Sequence, residues 1–417
     1  MLREKTLPAQ GALWIATDEL AATPSLPFYE RVHTALEEAG FSDDIRELCR
    51  PYYVDDFGAP AIDPVVYFKM LLVGFMEGIK SNRGLAARCA DSLSVRRFLG
   101  YALTEDTPTH WSLGVIRDRL PEEVYRQALE VTLAALKRKG VLKGKHLGVD
   151  STTVEANAAM RKLRHRMTGD TYWQYVKKLA AKSGVDPEDP DAVRRFDTTR
   201  PNKKMSNDDW EHPHDPDARI GQTKEKSTKM IYQQEHTVDM ETGAIIDVQV
   251  RHADQGEAAG LAERVQDAER QMNHAIGLPI SNATAETVTA DKGYHKLEEI
   301  TTLKKKGYGT VIPEMKRTRD MEAMSAAQRR AYKANAKAVR SAKGKALLRK
   351  RGEKIERSFA HVMNAGAMRR TTLRGLDKNR KRGLIGGIAA NLCLLMRTLC
   401  GVGTVRQYLA LPAGAWA

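Results

Sequence analysis

His146-Leu147-Gly148-Val149-Asp150 is a short apolar run closed by a carboxylate, and Thr287-Val288-Thr289-Ala290-Asp291 repeats the pattern further along the chain. Both runs are too short for a helix and read as buried strands. A carboxylate left where a strand ends is exposed and can bind a hard cation. A third acid, Glu356, lies in a helical stretch, Glu353-Lys354-Ile355-Glu356-Arg357-Ser358-Phe359, where Ile355 and Phe359 anchor one face toward a core. Three such carboxylates can hold two magnesium ions about 3.5–4 Å apart, the arrangement that clamps both oxygens of an in-line phosphoryl displacement. Each acid also has a plain reading. Asp150 precedes Ser151-Thr152-Thr153 and suits a turn or cap, and Asp291-Lys292-Gly293-Tyr294 suits a bend. Glu353, one turn before Glu356, is its rival, although a carboxylate near a helix start also favours the macrodipole.

Working outward from Asp150, the order of elements is regular. A polar insertion with five prolines and few aliphatics fills residues 155–228. Strands at 229–239 and 244–251 follow, joined at Glu241-Thr242-Gly243 as a hairpin. A helix at 256–273 leads to the strand that ends at Asp291, then a helix at 296–306 and a strand at 310–313. A basic, alanine-rich stretch, 316–352, enters the helix that carries Glu356. Strand, hairpin, helix, strand, helix, strand, helix is the element order of a ribonuclease H-like domain. The expected fold is therefore α/β, a mixed sheet flanked by helices, over residues 141–417. Its acids fall on the first strand, at the end of the fourth, and on the last helix.

Residues 1–140 read as an all-helical N-terminal domain. A helix at 27–39 stops before Gly40, and Asp63-Pro64 opens another with an acidic cap and proline at the first helical position. Further helices are expected near 83–91, over 109–120, and from Pro121 to Lys137-Arg138-Lys139, where basic residues and then Gly140 mark a stop. Their basic surfaces, including Arg83, Arg88, Arg96, Arg97, Arg117 and Arg119, fit a helix-turn-helix-like DNA reader and equally a dimerisation or packing module.

Charge narrows the partners. Lysine and arginine number 67 against 53 acids, a formal net charge of +14. Such an excess favours a polyanion, because cationic side chains displace condensed counterions from nucleic acid. The 316–352 stretch, then Arg369, Arg370, Arg374, Lys378 and Arg380-Lys381-Arg382, form the basic surface around the third acid. Other features resolve to structure. His212, His214, Asp215 and Asp217 lack zinc-like spacing and read as a polar loop. Tyr172, Trp173, Tyr175 and Trp210 can stack on an unpaired base or anchor the insertion. There is no phosphate-binding Gly-x-x-x-x-Gly-Lys-Ser/Thr loop. Cys49, Cys89, Cys393 and Cys400 form no Cys-x-x-Cys pair, which fits a reduced, cytoplasmic protein. No signal core is visible, and the apolar stretch from Gly383 to Met396 is too short to span a bilayer, so no membrane partner is expected.

The chain resembles the DDE-class transposases of bacterial insertion sequences, and three blocks carry the likeness. The first runs from Ile62-Asp63-Pro64 through Leu71-Leu72-Val73-Gly74-Phe75-Met76-Glu77-Gly78-Ile79-Lys80-Ser81-Asn82-Arg83 to Arg117-Asp118-Arg119-Leu120. The second joins Val149-Asp150-Ser151-Thr152 and Glu155-Ala156-Asn157-Ala158 with Thr289-Ala290-Asp291-Lys292-Gly293-Tyr294. The third joins Arg351-Gly352-Glu353 and Ile355-Glu356-Arg357-Ser358-Phe359 with Arg369-Arg370, Arg374-Gly375 and Ala389-Ala390-Asn391-Leu392. Many such proteins carry Tyr-x2-Arg-x3-Glu-x6-Lys around the glutamate, where this chain has Arg349, Gly352 and Met363.

The resemblance implies that Asp150, Asp291 and Glu356 hold two Mg²⁺ or Mn²⁺ ions. It implies binding of the element's terminal inverted repeats and of target double-stranded DNA, with cleavage followed by strand transfer. Lys292, Arg357, Arg369, Arg370 and Arg374 are the expected DNA contacts, and pairing of two ends implies a homodimer or larger assembly on DNA. The rival expectations are a ribonuclease H-like nuclease or resolvase that cuts without joining, and a non-catalytic DNA-binding repressor.

Overall fold

The computed structural model describes residues 26–54, 61–201, 203, 205–223, 226–279, 284–315 and 321–411. The expectations for residues 1–25 and 316–320 lie outside the described residues. The strands are β1 (His146–Glu155), β2 (Arg164–His165), β3 (Trp210–Glu211), β4 (Arg219–Gln222), β5 (Thr228–Asp239), β6 (Ile245–His252), β7 (Thr287–Thr289) and β8 (Gly309–Val311). The main sheet runs β6-β5-β1-β7-β8, with β4 pairing beside β6 on the outer edge of β5. β5 is antiparallel to β1 and β6, whereas β1, β7 and β8 are mutually parallel. The β5–β6 hairpin turns as the sequence predicts, and Gly243 takes φ 89° in its tight turn.

The first strand does not stop at Asp150. It continues through Ser151-Thr152-Thr153-Val154 to Glu155, because these mostly β-branched residues keep pairing with β5, as far as Glu155 opposite Ile231. Pairing with β7 is much shorter and ends at Gly148 opposite Thr289. Asp150 is thus a mid-strand residue, two positions past the point where its parallel neighbour leaves the sheet.

The N-terminal half is helical: α1 (Leu26–Glu38), α2 (Phe41–Cys49), α3 (Pro64–Met76), α4 (Asn82–Asp91), α5 (Leu93–Leu99), α6 (His110–Arg119) and α7 (Glu122–Arg138). The Asp63 carboxylate caps α3 by accepting from the Val65 N–H at 2.8 Å. Two helices escaped the sequence reading. α2 restarts directly after Gly40 at φ 72°, and Ser92 both ends α4 and caps α5. The insertion is partly ordered, with α8 (Tyr172–Lys182) and α9 (Pro190–Thr199) sharing a small cluster of Val176, Ala180 and Val193. His165 stacks on Tyr175 at 4.6 Å, and both rings meet Trp210 edge-on. These aromatics anchor the insertion, while Trp173 stays half exposed.

Beyond the hairpin lie α10 (Leu261–Ala275), α11 (Leu297–Lys305), α12 (Ala326–Arg340) and α13 (Ala342–Phe359), which runs into a π-helical turn, Ala360–Ala365; α14 (Leu376–Cys400) and α15 (Val405–Leu409) close the chain. The helix predicted from residue 256 begins only at Leu261, because Gly260 turns at φ 71°. The described part of the basic stretch is two helices, broken where Ser341 caps α13 and Gly344 presses against the Ala338 carbonyl. One apolar core joins the N-terminal helices to the sheet. α14 is long and apolar enough to cross a membrane by length and composition, a correction to the shorter stretch read from sequence, but it is mostly buried here against β6 and α7. Asn391 fastens it: its side chain accepts from the Ile245 N–H and donates to the Ile245 carbonyl, both at 2.9 Å.

Candidate active site

Side chains alternate along β1, so Gly148 and Asp150 share one face and Val149 and Ser151 the other. The Gly148 face is covered by α13. A Cβ on Gly148 would meet Ile355 Cδ1 and the Met240 side chain, so the glycine lets the helix lie close to the strand. One turn before Ile355, Arg351 Nη1 donates to Asp150 Oδ2 at 3.1 Å. Opposite Asp150 on β5 stands His236, wholly buried, with its pKa pulled down to about 3 by burial. Phe359 stacks on its ring at 4.4 Å, and its Nδ1 lies 3.0 Å from Ser358 Oγ. A neutral imidazole therefore sits between strand and helix.

Asp291 follows β7. Asp291 stands two residues past the last β1–β7 pair, Gly148 opposite Thr289, as Asp150 does on β1. Its Oδ1 accepts from the Gly293 N–H at 2.8 Å and opens a short 3-10 turn, Lys292–Tyr294. Gly293 does not take a left-handed backbone. Its lack of a side chain serves space instead: a Cβ there would overlap Glu257 Oε2 and stand 3.1 Å from Asp291 Oδ1.

Glu356 is exposed on α13, and among the described residues its carboxylate has no hydrogen bond or ion pair. It lies about 200° round the helix from Lys354, whose stem rests 3.7 Å from the Cβ position of Gly243, near the start of β1. It stands about 140° round the helix from Arg351, the residue that meets Asp150. The rival, Glu353, is taken up by Arg357 at 3.1 Å. Among the described residues no three Asp, Glu, His or Cys side chains converge tightly enough to hold a metal ion. The structure thus places Asp150 in the middle of β1 and Asp291 just past the end of its neighbour β7, and it does not bring Glu356, on the covering helix, together with them. The donor chemistry fits a hard divalent cation: oxygen ligands only, two of them on neighbouring backbones, beside a glycine that keeps the space open.

On the opposite face of β1 lies a charged network that the sequence reading missed. Glu235 is buried and bridged by Arg264 at 2.6 Å and Arg251 at 3.2 Å, and it accepts the Tyr294 hydroxyl at 2.9 Å. Burial and Glu235 push the Tyr294 pKa far above the usual phenol range. Glu257 accepts from Ser151 Oγ at 2.8 Å and from Gln233 Nε2 at 3.3 Å. Reading residues 256–273 as one helix had made Glu257 an ordinary surface acid. The available signal was Gly256 and Gly260 on either side of it.

The five expected DNA-contacting cations are all exposed. Lys292 adjoins Asp291 in the chain. Arg357 pairs with Glu353, and Arg369 donates to Asn364 Oδ1 at 2.7 Å. Arg370 forms a parallel bridge with Glu155, which lines the far end of β1 with positive charge, and Arg374 follows. Met363, at the position where the likeness called for lysine, is buried in the core. The His212 loop is structural: His212 and Asp215 are buried, and Asp215 accepts from Tyr232 and from the Gly375 N–H.

The chain thus joins a helical N-terminal third to a mixed sheet that has one acid in β1, a second just past β7 and a third on a flanking helix. Residues 20–119 match the family described as transposase domain (DUF772), and residues 199–392 match the transposase DDE domain. The chain belongs to the DDE-class transposases of insertion sequences. The second match includes Asp291 and Glu356 and begins beyond β1 and Asp150. No curated protein matches the chain.

Proposed function

We propose that this transposase binds the terminal inverted repeats of its element as double-stranded DNA, cleaves there, and joins the freed 3′ end to target DNA, using a core of the ribonuclease H type. One observation carries the reading: Asp150 and Asp291 each stand two residues past the last pair of the parallel strands β1 and β7, and the helix that covers β1 there bears Glu356. The sheet order, with β5 antiparallel to β1 and with β7 and β8 parallel to it, supports that fold.

Asp150, Asp291 and Glu356 would hold Mg²⁺ or Mn²⁺, two ions in the complete site, once the Glu356 side chain swings toward β1. Bound there, such ions lower the pKa of an attacking water or 3′-hydroxyl and offset charge on the phosphodiester. The protein's own groups do the rest by position. Arg351 orients the Asp150 carboxylate and offers a cation to a phosphate oxygen. Lys292, Arg357, Arg369, Arg370 and Arg374 hold the backbone of the duplex. The scheme needs no covalent protein–DNA link, and Tyr294 is a poor nucleophile for one, since its buried hydroxyl is committed to Glu235 and its pKa is pushed far above the usual phenol range. Pairing of two element ends calls for at least a dimer on DNA. The free cysteines suit a reducing cytoplasm.

The test is Asp150→Asn, assayed on a duplex taken from the DNA flanking the gene. Mg²⁺-dependent nicking falls by at least a hundredfold while binding is retained. A pre-cleaved end separates joining from cutting alone. Nicking by the variant at the wild-type rate excludes Asp150 from the site.

A further inference from the structure

Glu257 stands in the loop between β6 and α10, and nothing in the three-acid scheme uses it. Its Oε2 and Asp291 Oδ1 both press on the space over Gly293, one overlapping the position of a Cβ and the other 3.1 Å from it. Two partly buried carboxylates are thus held side by side. Among the described residues neither forms an ion pair with a lysine, arginine or histidine. The nearby arginines are already engaged: Arg264 and Arg251 bridge Glu235, and Arg351 pairs with Asp150. Like charges at that spacing repel and call for a cation between them.

A second observation points the same way. Gln233 is 8% exposed, and its amide nitrogen donates to both Ser151 Oγ, at 2.9 Å, and Glu257 Oε1. The oxygen of the same amide is buried and, among the described residues, has no hydrogen-bond partner. A buried carbonyl oxygen without a donor is a group that an ion or its bound water would satisfy. Ser151 follows Asp150 directly, so the Ser151–Glu257 bond ties this fourth carboxylate to the strand that carries the first acid.

We infer that Glu257 and Asp291 hold a cation between them on the Gly293 side, approached from the Ser151 face of β1, while Ser151 and Gln233 fix the orientation of the Glu257 carboxylate. The inference rests on the reading that Asp150 and Asp291 bind divalent metal. A cation between Glu257 and Asp291 would lie against the turn that carries Lys292, so the metal and the DNA contact at that turn are set by one loop.

The test is Mn²⁺ binding to the full chain, by calorimetry and by loss of the free-ion electron paramagnetic resonance signal, with no DNA present. Wild type is compared with Asp291→Asn, Glu257→Gln and Ser151→Ala. Glu257→Gln keeps an oxygen to accept from Ser151 and removes only charge. It weakens Mn²⁺ binding at least tenfold, in the range by which metal-site partners change affinity, while its melting temperature in chelator matches or exceeds that of wild type. Ser151→Ala, which leaves every carboxylate in place, weakens binding severalfold, and it carries the test if Glu257→Gln does not fold. Wild-type affinity in Glu257→Gln, or in Ser151→Ala should Glu257→Gln not fold, beside loss in Asp291→Asn, overturns the role of Glu257 and leaves the site otherwise intact. Wild-type affinity in Asp291→Asn as well overturns the metal-site reading itself.

Discussion

Gly293→Ala separates two explanations of the Asp-Lys-Gly-Tyr turn. If the glycine were needed for its backbone, any side chain would strain the turn and destabilise the whole protein. The backbone at Gly293 is outside the left-handed region, so alanine is conformationally permitted. What the added methyl meets is Glu257 Oε2 and Asp291 Oδ1. The Glu257 carboxylate must retreat by roughly 1 Å to restore ordinary van der Waals contact. That stretches its 2.8 Å bond from Ser151 Oγ out of range. Losing one such bond costs about 1 kcal/mol. Removing a glycine from the unfolded chain returns roughly 0.4–1 kcal/mol. The net change in stability is therefore within about 1 kcal/mol, and the melting temperature in chelator moves by only a few degrees. Metal binding does not share that compensation, because the two carboxylates are forced apart. Mn²⁺ affinity falls about tenfold, equivalent to about 1.4 kcal/mol. The assay pairs thermal melts in chelator with Mn²⁺ titration on the same preparation. A loss of about 3 kcal/mol or more in stability would show that the turn needs glycine for its backbone. Unchanged Mn²⁺ affinity with unchanged stability would show that the space over Gly293 is not part of a cation site.

Asn391→Leu keeps the bulk of the side chain and leaves the Ile245 N–H and carbonyl without partners inside the core. With each unmet group at about 1–3 kcal/mol, urea denaturation should report a loss of about 2–5 kcal/mol, and a loss under about 1 kcal/mol would mean that α14 does not rely on this clamp. The buried histidines set an acid limit. His236 and His361 have pKa values lowered by burial to about 3 and about 4, so both are neutral in the folded state. The unfolded chain takes up their protons below about pH 6.5. Stability is therefore flat with respect to these groups above about pH 7 and falls as pH drops from about 6.5 toward 4, by up to about 1.4 kcal/mol per pH unit for each histidine. Urea midpoints that stay constant from pH 7 to pH 5 would contradict the neutral assignment.

Much of the frame is legible in the chain because local signals agree there. Asp63-Pro64, Thr109 and the Lys137-Arg138-Lys139-Gly140 stop all act where their chemistry says they should. The hairpin announces itself by Gly243. What escaped depends on partners remote in sequence. Nothing local says that Ser151 through Glu155 continue a strand past Asp150; that is decided by β5, some eighty residues later. Nothing local distinguishes Glu257 from a helix-surface acid, since its meaning comes from Ser151, Gln233 and Gly293 on three other segments. The two helices missed in the N-terminal half failed for a simpler reason, that one residue both ends an element and starts the next.

The same long-range pairing explains where the site lies. β1 carries two kinds of neighbour, and they end at different places. Antiparallel pairing with β5 holds β1 straight from Leu147 to Glu155, whereas parallel pairing with β7 stops at Gly148. Past that point the chain turns away through Asp291 and the Lys292–Tyr294 turn, at the carboxyl ends of the parallel strands, the end at which α/β sheets place their ligands. Asp150 stays on the rigid strand, and Asp291 lies on the departing chain. This divergence gives one carboxylate a fixed backbone and the other a glycine-bounded turn. On the proposed reading the rigid half would set where a cation sits, and the turn, through Gly293 and Glu257, would set how tightly it is held. Substitutions in β1 should accordingly abolish the site, while substitutions in the turn should grade its affinity.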